Sequence, residues 1–112
     1  MLVRLLYASR PATPLTSLLL LAQDISPAVR AGVARNQRPD LPVEMRQDLA
    51  KDKSPEVVYA LIENPATPES VLSKLTRSFH RDYAGAAKQA INGRKAAARA
   101  GVPIEVSVIA SS

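Results

Sequence analysis

The chain has 112 residues, a formal net charge of +5, no cysteine, no tryptophan and a single phenylalanine. No disulfide can staple it, and no apolar run reaches the roughly 18 residues that a membrane span requires. With 46% hydrophobic residues but so few aromatics, the core must be built from Leu, Val and Ala, which suits closely spaced helices better than a large ligand cavity.

Taken in order, residues 2–9 read as the second helix of a two-helix unit. Pro11-Ala12-Thr13-Pro14 follows as a turn, with Thr13 as N-cap and Pro14 as the first helical residue, where a missing N–H costs nothing. Helix is expected to about Gln23. The run Leu18–Ala22 is too short for a span and is preceded by Ser and Thr rather than by a basic region, so it is not read as a signal peptide. Ser26-Pro27 repeats the cap-plus-proline device and opens a helix to Arg35. The same unit recurs at 42–51 and 55–63. Thr67 caps a further helix over 68–76, with Glu69 near its positive end. Next, Asp82 is expected to cap a helix from Tyr83 to Ile91, stopped by Asn92-Gly93. Arg94 to Ala100 then forms a last helix, ended by Gly101. Ile104 to Ile109 alternate as a strand would. The expected division is a helical repeat domain over 1–101 and an extended tail over 102–112.

The recurrences are internal repeats. Ser26-Pro27-Ala28-Val29-Arg30 matches Ser54-Pro55-Glu56-Val57-Val58, and Pro11–Pro14 is identical to Pro65–Pro68. Val3, Val29 and Val57 fall in one column at spacings of 26 and 28, as do Arg10, Asn36 and Asn64. The two extra residues are Gln37-Arg38, confined to one loop. Periods of this size signal stacked repeats. The combination of Leu-Ala-x-Asp, Ser-Pro-x-Val and Asn-Pro resembles the leucine-rich repeat variant family over about residues 3–91, and is similar to HEAT-type repeats. That resemblance implies an all-α, right-handed solenoid of about three two-helix repeats. The founding member of that family carries a cysteine-bound iron–sulfur domain. With no cysteine here, no such cofactor is expected, and no other is.

Columns separate core from surface. Leu21, Leu49 and Leu75 share one, Val33, Leu61 and Ala87 another, and Ala22, Ala50 and Thr76 a third; all are read as core. Asp24 and Asp52 share a column suited to accepting backbone N–H groups at the next helix start, or to pairing with an Arg of the repeat. Asn36 and Asn64 are expected as left-handed helix ends. Leu19 and Leu20 break the pattern, because the later copies have Gln47-Asp48 and Ser73-Lys74 there; an exposed apolar patch of this kind marks a contact surface. On the second helices, Arg4, Arg30, Arg35, Tyr59 and Glu63 complete the candidate protein-binding surface.

Catalysis finds no support. His80 is the only histidine, and neither metal-ligand spacing nor a glycine-rich phosphate loop is present. The expected function is therefore a non-enzymatic, cytoplasmic scaffold for protein–protein interaction. Exposed Leu19 and Leu20, beside the apolar run Leu2–Tyr7, also suggest a homodimer through the N-terminal end. The alternative is nucleic-acid binding through the basic C-terminal third, by Arg77, Arg81, Lys88, Arg94, Lys95 and Arg99.

Overall fold

A proline about every dozen residues forbids long helices over the first three quarters of the chain, and the elements are short accordingly. The computed structural model describes residues 2–99. They form α1 (Leu2–Ser9), α2 (Leu15–Leu21), α3 (Pro27–Arg35), α4 (Val43–Ala50), α5 (Pro55–Glu63), α6 (Glu69–Leu75) and α7 (Arg81–Arg99), with no strand among the described residues. The expected strand over 104–109, the tail and the boundary at 101–102 lie outside the described residues.

The two kinds of proline act differently. Pro27 and Pro55 are the first residues of α3 and α5, as expected. Pro14, Pro42 and Pro68 instead stand one position ahead of α2, α4 and α6, with ψ of 145°, 140° and 147°. Thr13 and Thr67 are consequently not N-caps. Their hydroxyls reach backwards, Thr13 donating to the carbonyl of Tyr7 and Thr67 to that of Leu61 at 2.6 Å. Each adds a second donor to a carbonyl in the last turn of the preceding helix, which otherwise has only the N–H three residues on, from Arg10 or Asn64.

The helix expected to break at Asn92-Gly93 does not. It begins at Arg81 rather than Tyr83, and the His80 carbonyl accepts the Ala84 N–H. It then runs through both residues as one 19-residue element. A Cβ built at Gly93 would meet nothing within 4 Å, so no neighbouring backbone demands a turn there. One glycine costs an alanine-rich helix only about 1 kcal/mol.

α3 packs on α1 and on α5, α5 packs on α7, and α6 packs on α4 and α7. The approach of α1 to α3 needs Gly32, whose added Cβ would lie 3.0 Å from the Ala8 Cβ and 3.2 Å from the Leu5 carbonyl. Leu21, Leu49, Leu75, Val33, Leu61 and Ala87 are all buried. The third core column is corrected: Ala22, Ala50 and Thr76 are only half-buried, the two alanines packing at the margin and the Thr76 hydroxyl donating to the Ser73 carbonyl. Val3 also departs from its column, 79% exposed where Val29 and Val57 are fully buried. Leu49 belongs to the buried cluster that also holds Leu21, Met45 and Leu61, and its truncation opens a cavity there. Leu49→Ala is expected to cost about 2–5 kcal/mol in urea unfolding.

Candidate functional site

Several polar side chains that look like surface groups are structural. Arg30 is only 9% exposed. Its guanidinium donates to Asp52 at 2.8 and 3.2 Å, to the carbonyls of Asp24 at 2.7 Å and Ile25 at 3.2 Å, and to the Ser54 hydroxyl. A partner cannot reach a group so engaged, so Arg30 leaves the candidate binding surface. Arg4 is more open and pairs with Asp24 at 2.9 Å. Both aspartates do the two things their column allows. Asp24 accepts the Ser26 N–H and Asp52 the Ser54 N–H, each at 2.9 Å, while each also ties its loop to the arginine of the preceding second helix. At the next copy the arginine is replaced by Val58 and the aspartate by Ser78, so the partners change together.

Charge follows this geometry. The Ser26 N–H and the Arg4 guanidinium hold the Asp24 carboxyl below its ordinary pKa against the opposing effect of burial. Burial pushes the Asp52 carboxyl up, but the bonds from Arg30 and from the Ser54 N–H outweigh it, and its pKa is also lowered. Asp52 in turn raises the pKa of Arg30.

The asparagine column is a ladder. Asn36 Nδ2 donates to the carbonyls of Ala8 and Arg10, both at 2.9 Å. Asn64 Nδ2 donates to those of Ala34 at 2.9 Å and Asn36 at 2.8 Å. Their Oδ1 atoms accept the N–H groups of Arg38 and Ala66. Neither residue is left-handed, since φ is −67° at Asn36 and −77° at Asn64; the side chains, not a reversed backbone, end these helices. Arg94 continues the ladder, donating to the Asn64 carbonyl at 3.2 Å, which removes it from the free cations of the basic third. Sequence reasoning missed Arg46, which is 2% exposed in the column of Leu18 and Leu72. It donates to the carbonyl of Asn36, just before the insertion, and to that of Arg38, its second residue, both at 3.1 Å. Burial lowers its pKa, but an arginine stays protonated.

The remaining candidates do not converge on one surface. Leu19 is half-exposed and lines a groove of about 680 Å³ between α2 and α4, floored by Met45 and Leu49 and rimmed by Glu44 and Asp48, with Lys51, Lys53 and the internally engaged Arg30 also in its lining. Leu20 is 76% exposed. Tyr59 and Glu63 line a separate cleft between α5 and α7, with Ile62, Ala90 and Arg94. Arg35 is exposed apart from both. Tyr59 also meets Tyr83 edge-on at 5.3 Å, and the His80 ring lies 4.8 Å from Tyr83. Burial, reinforced by Asp82 and Tyr83, raises the Tyr59 phenol pKa. Arg77, Arg81, Lys88, Lys95 and Arg99 are exposed.

Among the described residues no group of three His, Asp or Glu side chains is placed to hold a metal ion, and no helix is long and apolar enough to cross a membrane. No family model, curated protein or solved structure matches the chain.

Proposed function

We propose that the chain is a short right-handed α-solenoid of about three two-helix repeats, of the leucine-rich repeat variant or HEAT-like kind. On this reading it is a non-enzymatic cytoplasmic scaffold that holds a segment of a partner protein. The observation carrying the reading is the α2–α4 groove, with its apolar floor and a mixed-charge rim on which Glu44 and Asp48, like Lys51 and Lys53, have no ion pair among the described residues. Everything around it is internally complete: no buried side-chain polar atom among the described residues lacks a hydrogen-bond partner. The partner chemistry that fits is an extended or helical segment with an apolar residue facing Leu19 and Met45 and a Lys or Arg facing Glu44 and Asp48.

Selection from a random displayed-peptide library is the test. Enrichment of apolar-plus-basic peptides is expected, with binding lost in Leu19→Lys/Leu20→Glu while thermal unfolding is unchanged, because both side chains are exposed. No enrichment, or peptides retained by the variant, would refute the groove. A second copy of the chain is the other occupant favoured by an observation, since Val3, Leu6 and Tyr7 are exposed along with Leu19 and Leu20. A wild type that stays monomeric by light scattering at high micromolar concentration removes that second occupant.

A further inference from the structure

Four of the free cations of the C-terminal third form a line, Arg77 lying outside it. Arg81, Lys88, Lys95 and Arg99 occur at helical steps of 7, 7 and 4 residues on α7. At 3.6 residues per turn they fall within a sector of about 40°, over about 27 Å of rise. The opposite side of the helix is the buried one, carrying Tyr83 and Ala87. Among the described residues none of the four makes an ion pair or a side-chain hydrogen bond, unlike Arg4, Arg30, Arg38, Arg46 and Arg94. Four cations thus stand in one row without a structural task.

The residues beside the row select among polyanions. Gly85, Asn92 and Ala96 occupy the exposed positions next to it, so nothing bulky holds a rigid anion away. No exposed Leu, Ile, Phe or Trp lies on α7, which removes the apolar face that an interfacial membrane helix requires. Exposed Phe79 and His80 both precede α7, and along the row itself no exposed aromatic offers successive bases a stacking platform, which disfavours single strands. What remains is a straight, repetitive, rigid line of negative charge. One strand of a double helix presents a charge about every 3.4 Å of axis, enough over 27 Å to meet every cation of the row.

We propose that this edge of α7 binds the phosphate backbone of duplex nucleic acid without reading its sequence. It is a different face from the α2–α4 groove and takes a different class of partner.

The experiment is fluorescence anisotropy of the full chain with a labelled 24-base-pair duplex of scrambled sequence, titrated across salt. Four phosphate contacts predict a slope of log K on log salt of about −3.6, a loss of roughly a hundredfold between 50 and 200 mM. Lys88→Gln/Lys95→Gln/Arg99→Gln should leave a slope of about −0.9 and a loss of only about fourfold over that range. These residues are exposed, so helicity and unfolding midpoint should not change. Arg10→Gln/Arg35→Gln removes exposed charge away from α7 and should keep the wild-type slope. The proposal is overturned by no binding at 50 mM salt, or by a control variant that falls as far as the α7 variant. Single strands, polyglutamate or vesicles with 30% anionic lipid held more tightly than the duplex would also overturn it, and would name the polyanion that replaces it.

Discussion

Asn64→Ala should lower the free energy of unfolding by about 2–4 kcal/mol, a large share of the 5–15 kcal/mol of an ordinary domain. The side chain is 4% exposed and joins three backbone groups. The Asn36 carbonyl keeps Arg46 as a donor after the substitution. The Ala34 carbonyl and the Ala66 N–H lose the side-chain partner they have, and an unmet buried group costs about 1–3 kcal/mol. Asn64→Asp separates hydrogen bonding from packing. It keeps the shape but turns an oxygen toward two carbonyls, so it should destabilise at neutral pH at least as much as Ala does. A urea midpoint for Asn64→Asp equal to wild type would show that the ladder contributes nothing. Asn36 occupies the equivalent rung and should behave alike.

The elements legible in the sequence were those fixed by periodicity and proline. Pro27 and Pro55 set the first residues of α3 and α5, and Arg35 and Glu63 were read correctly as their ends. The Leu21–Leu49–Leu75 column was readable because the same side chain returns at the repeat period, and only burial makes that demand three times. The cap residues misled because a threonine before a proline is compatible with two bonds, one forward to the helix and one back to the helix before. Only the packed turn decides between them. At Asn92-Gly93 a local stop signal met no tertiary reason to stop.

The candidate site was less legible, for a reason visible at Arg30 and Arg46. Columns sort positions by residue type, and a long cation reads as solvated unless its acceptors are known. The acceptors of Arg30 are a carboxylate 22 residues ahead and carbonyls six and five residues behind, in the loop before α3. A signal did exist, because Arg4 and Arg30 become Val58 as Asp24 and Asp52 become Ser78. Arg46 carried another: a cation stands in a leucine column only in the copy with the Gln37-Arg38 insertion, and it serves the carbonyls of Asn36 and Arg38 in that loop. Leu19 and Leu20 were legible as departures from the repeat, and both are exposed. The groove beside them was not, since it depends on α4 packing more closely on α6 than on α2.

The exchange of Arg–Asp for Val–Ser at the third copy gives a strong test of coupling. Asp52→Ser alone leaves the Arg30 guanidinium, 11% exposed at the side chain, without its counter-charge. Removing one partner of a buried pair costs about 3–5 kcal/mol, and residual solvent access here favours the lower end. Arg30→Val alone strips a donor from the carbonyls of Asp24 and Ile25 and from the Ser54 hydroxyl. The double variant reproduces the chemistry of Val58 and Ser78, and should be more stable than the sum of the two single losses by more than 1 kcal/mol. Additive losses would mean that the pair is not a unit and that its joint replacement at the third copy is coincidental. Acid titration supplies an independent sign. Because the folded pKa of Asp52 is lowered, its contribution is present above the unfolded value near 3.8 and is lost as pH falls through the folded one. The Arg30→Val/Asp52→Ser variant should therefore show a shallower fall in stability below about pH 4. Part of the slope should persist, because Asp24 and Asp40 are also held below their ordinary values. An acid limb as steep as in wild type would place the titrating carboxylates elsewhere and detach the pair from acid stability.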